Sequence, residues 1–226
     1  MQTSRTDAAA APGLVVDVVS DVVCPWCYIG KRKLEAALSE LREHEADLQA
    51  AVRWHPFQLN PDLPPEGVDR VEYLKAKFGS KARSDEIYAR VKQVGKEVGI
   101  DFDFDRIARV PNTLAAHSLI AWTQHRGDPT ATDTVVEMLF HAFFIEGRLL
   151  NERAELARIA SEAGMVWTQA QSSSELLAEV EAEDREARGV GINGVPFFIF
   201  NGKTAVAGAH DPETLLRAIA AARSSD

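Results

Sequence analysis

The stretch that decides the fold is LVVDVVSDVVCPWCYIG, residues 14–30. Residues 14–19 form a short, apolar and β-branched run, which predicts a buried β-strand. Leucines then recur at helical spacing, so we predict a helix over roughly residues 25–45. Pro25 falls in the first turn of that helix, where its missing N–H costs nothing. A pair of cysteines therefore lies at the junction between a strand and a helix.

The cysteine pair of the motif Cys24-Pro-Trp-Cys27 predicts redox chemistry. No other cysteine occurs in the chain, so a structural disulfide cannot form elsewhere. A helix N-terminus presents unpaired N–H groups and a partial positive charge, which favour a thiolate at Cys24. Cys27 lies one turn inside the helix, within reach of the first sulfur but shielded by its neighbours. We therefore predict that Cys24 attacks the substrate and that Cys27 resolves the mixed disulfide.

A cysteine pair at this spacing could also be half of a zinc site, or two inert thiols. A structural zinc site needs about four ligands, and the chain has no second cysteine pair. His44 and His55 could complete such a site only if folding happened to bring them to the motif. A close pair between a strand and a helix favours redox chemistry, so no metal ligand is predicted.

The rest of the chain completes a split α/β pattern. Residues 52–59 are predicted to form a second strand, and the pattern is then helical from about residue 64 to 188. Strands return at residues 196–200 and 204–207, on either side of the turn dipeptide Asn201-Gly202. A last helix follows. The order predicts an α/β thioredoxin-like fold (βαβ…ββα) with a large all-helical insertion.

This order also predicts the domain limits. We expect a disordered tail over residues 1–13, a discontinuous thioredoxin-like domain over 14–63 and 173–226, and a helical insertion domain over 64–172. The tail lacks the apolar core of a secretion signal, so a cytoplasmic protein is expected. The net charge of −9 argues against nucleic acid and anionic membranes as partners. A homodimer is left open.

The dipeptide Val195-Pro196 opens a predicted strand, which is an awkward position for proline unless the bond is cis. In a thioredoxin-like fold this loop lies beside the cysteine motif. We predict a cis bond that turns the backbone of Val195 toward the bound partner, where an extended peptide or thiol could form hydrogen bonds. A simple turn proline is the alternative.

Several motifs are spread over almost the whole chain after residue 13. They are residues 21–30, 56–59, 109–113 with Ala116-His117, 191–198, and Gly208-Ala209. In these motifs the chain resembles the DsbA family, and specifically its cytosolic FrnE-like branch. One departure is His210, where glutamine would be expected after Gly-Ala.

The resemblance implies a thioredoxin domain split by helices, exchange of disulfides with thiol or disulfide substrates, and no cofactor apart from glutathione as a possible co-substrate. It suggests that Asn112 and Thr113 line the substrate groove, although both also suit a helix N-cap. His117 could contact substrate or tune Cys24, or be a core histidine. Asp21 could shuttle a proton or cap a turn. The remaining predicted substrate-binding residues are Pro25, Trp26, Val195 and Pro196.

Two competing functions stay open. The first is a glutathione-dependent isomerase or transferase similar to 2-hydroxychromene-2-carboxylate isomerases and kappa-class glutathione transferases. Those proteins share the fold but resemble this motif with serine in place of Cys24, so the presence of both cysteines favours redox cycling. The second is a chaperone-like binding module, which would have no need of two thiols. We further expect the helical insertion to form a lid over the cysteine face.

Overall fold

The fold places a four-stranded sheet beside a group of helices inserted in the chain. A computed structural model describes residues 13–168 and 173–224. The strands are β1 Leu14–Ser20, β2 Ala50–Pro56, β3 Val68–Asp69, β4 Arg109–Val110, β5 Phe197–Phe200 and β6 Thr204–Ala207. The helices are α1 Pro25–His44, α2 Arg70–Phe78, α3 Lys81–Glu97, α4 Leu114–His125, α5 Pro129–Phe144, α6 Arg153–Glu162, α7 Ser174–Gly189 and α8 Pro212–Arg223.

The large sheet has the order β2-β1-β5-β6. Strand β1 runs parallel to β2 and antiparallel to β5, and Val18 lies opposite both Trp54 and Phe198. The parallel pair requires a crossover, which α1 supplies. Because β1 is central and leads directly into α1, the cysteine motif lies at the carboxyl end of an inner strand. Open α/β sheets commonly bind their ligands at such an end.

Helices cover both faces of this sheet. Successive side chains of a strand point to opposite faces, so Val18 joins the large core while Val19 packs with Ala187 of α7 in a smaller cluster. Helices α1 and α8 pack together, and α4 and α7 pack together and against β2. The predicted fold class, a thioredoxin-like fold with a helical insertion, is confirmed.

The hairpin near the C-terminus forms where the sequence predicts it. Strands β5 and β6 pair antiparallel, with Phe200 opposite Thr204. Asn201 and Gly202 both have positive φ, at 51° and 65°. The side chain of Asn201 also accepts a hydrogen bond from the amide of Val15 at 2.8 Å, which ties the turn to the start of β1.

The insertion between β2 and α7 is not entirely helical. Its two short strands, β3 and β4, pair antiparallel, with Val68 opposite Val110. A strand of two residues is too short to show an alternating pattern, so the sequence does not predict this ribbon. The predicted domain limits, with an insertion over 64–172, stay a prediction. Residues 1–12 of the predicted tail lie outside the described residues.

No helix in the described ranges 13–168 and 173–224 combines the length and the apolar character needed to cross a membrane.

Candidate active site

The start of α1 positions the first cysteine. Cys24 is the N-cap residue, with an extended backbone (φ −94°, ψ 111°), and Pro25 is the first helical residue. The amide of Cys24 donates to the carbonyl of Asp21 at 3.0 Å, and the amide of Cys27 donates to the carbonyl of Cys24 at 3.0 Å. These bonds form a tight turn that leads from β1 into the helix. Both cysteines are free thiols.

The two thiols differ in surroundings. Cys24 lines a cavity, whereas Cys27 is 1% exposed and lies within the core. Burial raises the pKa of the Cys27 thiol well above its usual value, and the neighbouring Cys24 adds to the increase. The second thiol therefore stays protonated until the reaction removes its proton. This asymmetry suits an attacking Cys24 and a resolving Cys27.

The loop before β5 lies against the first cysteine. The Val195–Pro196 bond is cis, as predicted. The thiol of Cys24 donates to the carbonyl oxygen of Val195 at 3.6 Å. A Cβ atom on Gly30 would lie 2.9 Å from Cγ of Pro196, so only glycine lets α1 approach this loop so closely. The proline loop and the cysteine motif thus form one unit.

An apolar cavity of about 320 Å³ extends from Cys24 toward the insertion. Cys24 is itself 4% exposed, so a substrate must enter this cavity to reach its sulfur. The wall nearest the cysteines comes from Val23, Cys24, Pro25, Trp26, Gly194 and Val195. The opposite wall comes from the insertion, through Tyr73, Phe78, Ile87, Tyr88, Val91, Phe104, Ile107, Val110, Phe143 and Phe144. The insertion thus has the position that a lid over the cysteine face requires.

Two cations also line this cavity, Arg70 and Lys77, both on α2. The guanidinium of Arg70 lies 5.0 Å from the ring centre of Tyr88. The ammonium of Lys77 donates to the hydroxyl of Tyr73 at 2.8 Å, and this hydroxyl donates to Asn60 at 3.0 Å. The sequence did not identify these groups as site residues, because nothing in α2 itself shows that it faces a cysteine some fifty residues earlier.

A buried polar pair lies at the base of the cysteine turn. The Asp21 carboxylate is fully buried and accepts a hydrogen bond from the amide of Leu59 at 2.7 Å. Nε2 of His117 lies 3.4 Å from Oδ1 of Asp21 but makes no well-directed hydrogen bond within the described residues. Asp21 therefore caps the turn and links it to the segment after β2.

The insertion residues named by the sequence lie outside the cavity wall. Asn112 donates to the carbonyl of Leu63 at 2.9 Å and accepts from the amide of Leu114 at 3.0 Å. Thr113 is the buried N-cap residue of α4, and His117 is 4% exposed. None of the three is among the residues that line the cavity. Their contact with substrate stays a prediction, whereas Pro25, Trp26 and Val195 do line the cavity and Pro196 packs on Gly30.

No group of three or more His, Cys, Asp or Glu side chains within residues 13–168 and 173–224 is arranged to hold a metal ion.

Comparison with known proteins agrees with this geometry. A family model described as a DSBA-like thioredoxin domain matches residues 15–220. The chain is 24% identical over 208 residues to the uncharacterized protein YwbO of Bacillus subtilis (strain 168), covering 90% of this chain and 94% of that one. The crystal structure of the probable DsbA oxidoreductase SCO1869 from Streptomyces coelicolor superposes with a TM-score of 0.80 at 25% identity, covering 94% of this chain and 91% of that one.

A structure of 2-hydroxychromene-2-carboxylate isomerase superposes with a TM-score of 0.64 at 16% identity, covering 92% of this chain and 95% of that one. At that identity the likeness concerns the fold alone.

Proposed function

Because the chain belongs to the DSBA-like thioredoxin family, we propose that it is a dithiol–disulfide oxidoreductase with Cys24 as nucleophile and Cys27 as resolving thiol. The observation that carries this proposal is the asymmetry of the two thiols. Cys24 lies at the helix N-cap and faces a cavity, while Cys27 is buried one turn further along. A helix N-terminus stabilises a thiolate where a substrate can reach it.

The exchange proceeds in two balanced steps. The Cys24 thiolate attacks one sulfur of a substrate disulfide, and the other sulfur leaves as a thiolate. Cys27 then loses its proton to the departing thiolate or to water, and its sulfur attacks Cys24 to form the Cys24–Cys27 disulfide. Two electrons have passed from the protein to the substrate, and the second substrate thiolate is released. The reverse sequence oxidises a substrate dithiol.

The proline loop supports substrate binding in this scheme. The carbonyl of Val195 lies beside the Cys24 sulfur, and the same residue lines the cavity. A substrate bonded to Cys24 would therefore contact the Val195 backbone, as extended peptides do at exposed strand edges.

Insulin reduction driven by dithiothreitol tests the proposal directly. We expect the wild-type protein to accelerate the reaction and the Cys24→Ser variant to lose the acceleration. After equilibration with glutathione buffers and labelling of the free thiols, the mobility of the protein on a gel should reveal a reversible Cys24–Cys27 disulfide. If the pair does not oxidise reversibly and neither insulin reduction nor oxidative refolding is accelerated, the proposal is wrong.

The Cys27→Ser variant separates redox cycling from glutathione-dependent isomerisation. An isomerase that activates glutathione needs only the residue at position 24, so loss of Cys27 would leave its turnover intact. A dithiol oxidoreductase instead stops at a mixed disulfide, which a gel without reductant reveals. A chaperone-like module would suppress aggregation equally with both cysteines replaced by serine.

We place the chain in the FrnE-like branch of the family and in the cytoplasm. The support for the branch is the set of matching motifs at residues 21–30, 109–113 and 191–198. The proposed cytoplasmic location is supported by the resemblance to that branch, which is cytosolic. Fractionation of cells that produce the protein would test the location.

A further inference from the structure

The cavity beside Cys24 contains two cations and no carboxylate. Arg70 and Lys77 are its charged lining residues, and no Asp or Glu is among those that line it. Within the described part of the chain, neither cation forms an ion pair with a carboxylate. This is unusual for a chain with a net charge of −9, in which carboxylates are plentiful.

Aromatic rings hold the two cations in place without neutralising them. Arg70 lies over Tyr88 at 5.0 Å, and the ammonium of Lys77 lies 5.2 Å from the ring centre of Tyr73. A ring face attracts a cation and orients it, but it carries no net charge. Both cations therefore keep their full charge for an incoming anion.

The size and lining of the cavity indicate the chemical character of the ligand apart from its anionic group. Its volume of about 320 Å³ is at the lower end of the range for small-molecule sites. Apart from the two cations, the wall is dominated by aromatic and aliphatic side chains such as Phe78, Phe104 and Phe143. Such a wall favours a compact apolar body, and aromatic rings pack well against it.

We propose that the physiological substrate is a small disulfide in which each half consists of an apolar, ring-sized body and a carboxylate. Arg70 and Lys77 bind the carboxylate of one half, and the sulfur of Cys24 attacks the disulfide sulfur of that half. The inference rests on disulfide exchange at Cys24 and adds the substrate class. The covalent step is the attack described above: Cys24 sulfur bonds to one half, and the other half leaves as a thiolate. A charge-assisted hydrogen bond from either cation would fix the bound half in the cavity.

The rate of mixed-disulfide formation tests this substrate class. The reaction uses the Cys27→Ser protein, in which Cys24 is the single thiol, so one leaving group is released per chain. The probes are dithiobis(nitrobenzoate), an aromatic disulfide with carboxylates, and dithiodipyridine, a neutral aromatic disulfide. Each rate is divided by the rate of the same probe with free cysteine, which removes the intrinsic reactivity of the probe.

We expect the normalised rate to be higher for the anionic probe. Lys77→Gln and Arg70→Gln should each lower that rate by roughly fivefold, because each removes one charge–carboxylate contact, while the neutral probe changes less than about twofold. Lys75→Gln is the matched control: it makes the same charge change on an exposed residue of α2 that does not line the cavity. Added salt should slow only the anionic probe.

The outcomes distinguish this inference from the proposed function. Reaction with both probes at rates that are insensitive to Lys77→Gln and Arg70→Gln would overturn the substrate class and leave disulfide exchange standing. An equal effect of Lys75→Gln would also overturn it, because the cause would then be overall charge. No reaction of Cys24 with either probe would overturn the proposed function, and the inference with it. Lys77 is exposed, so its variant stays informative if Arg70→Gln unfolds the chain.

Discussion

The active-site cavity and the charged cluster around Lys31 differ in whether their cations are paired with carboxylates, although α1 contributes to both. In the cavity, Arg70 and Lys77 lie over aromatic rings without an acidic partner in the described residues. One turn beyond Cys27, Lys31 is 2% exposed and contacts three carboxylates. These belong to Glu35 on the same helix and to Asp133 and Glu137 on α5.

The difference indicates that the charge of Lys31 stabilises the structure, whereas the two cations of the cavity are available to bind a ligand. Burial opposes the charge of Lys31, but Asp133, Glu35 and Glu137 outweigh that effect and raise its pKa. The charge of Lys31 is thus fully paired, and its contacts join α1, which carries the cysteines, to α5, which forms part of the opposite cavity wall. A cation that is already paired with carboxylates attracts an anionic ligand only weakly, whereas an unpaired cation can bind one.

The largest effect should come from the cysteine turn itself. Cys24→Ser replaces the thiolate with a hydroxyl that stays protonated at neutral pH, so we expect disulfide exchange to fall by roughly a thousandfold or more. Insulin reduction and labelling of mixed disulfides measure this. The fold should be retained, because serine is a good N-cap residue. Activity within about tenfold of the wild type would show that the cysteine turn does not carry the chemistry.

A smaller effect, on stability, should come from the charged cluster. Lys31→Met keeps the aliphatic stem but removes the buried cation that three carboxylates share, although Arg32 still pairs with two of them, Glu35 and Glu137. We expect the free energy of unfolding to fall by about 2–3 kcal/mol. This is at or below the lower end of the range for breaking a buried pair, because those carboxylates are partly exposed. Urea unfolding measures the change, and exchange activity of the folded variant should stay within a few-fold.

Lys33→Met is the matched control for that variant. Lys33 lies on the same helix but pairs with the exposed Asp211 on the other side. Its loss should cost less than about 1 kcal/mol. Equal destabilisation by the two variants would show that the buried cluster around Lys31 contributes no more to stability than one ion pair with an exposed carboxylate.

The contact between α1 and the proline loop should have a comparable or slightly smaller effect. A Cβ at position 30 would lie 2.9 Å from Pro196 and 3.1 Å from Phe198. Gly30→Ala should therefore destabilise the protein by about 2 kcal/mol through overpacking and slow exchange at Cys24 by displacing the loop. Gly189→Ala, where no atom lies within 4 Å of the added Cβ, should be neutral or slightly stabilising. Thermal unfolding of both variants decides the matter; a neutral Gly30→Ala would show that the loop yields easily.

The smallest effect should come from a second paired cluster, at β1 and β2. Burial opposes the charge of His55, but Asp17 and Glu183 raise its pKa to about 9. Burial likewise opposes the charge of Asp17, yet His55 and Arg53 lower its pKa to about 2. Arg53 and His55 approach Asp17 at 2.6 and 2.8 Å.

The sign of the pH effect follows from these pKa values. The folded pKa of His55 exceeds its usual value of 6.5, so its contribution is complete below pH 6.5 and is lost as the pH rises through about 9. The Asp17 contribution is complete above its usual value of 3.8 and is lost as the pH falls through about 2. Since His55 is 35% exposed, solvent screening limits its share to about 1 kcal/mol. Urea unfolding at pH 6 and pH 9.5 should show this loss, and His55→Gln should reduce the difference by that amount, while the raised pKa of Cys27 contributes a further loss over the same interval.

Much of the fold and the core of the site could be predicted from sequence because their causes are local. The strand leading into Cys24, the helix that begins at Pro25 and the turn at Asn201 each depend on neighbouring residues and on their backbone preferences. These features need no knowledge of where distant segments pack. The cis bond before Pro196 is different, because its prediction rests on the family resemblance as well as on a proline at the start of a strand.

The tertiary structure alone decided which residues face the cysteines. Arg70 and Lys77 are ordinary basic residues in the sequence, and they become site residues only because the insertion folds over the start of α1. Asn112, which the family resemblance suggested for the groove, donates to loop carbonyls at Pro61 and Leu63, and its contact with substrate stays a prediction. The physical reason is range: helix periodicity and capping act over a few residues, whereas a cavity wall is set by packing between segments that lie tens of residues apart.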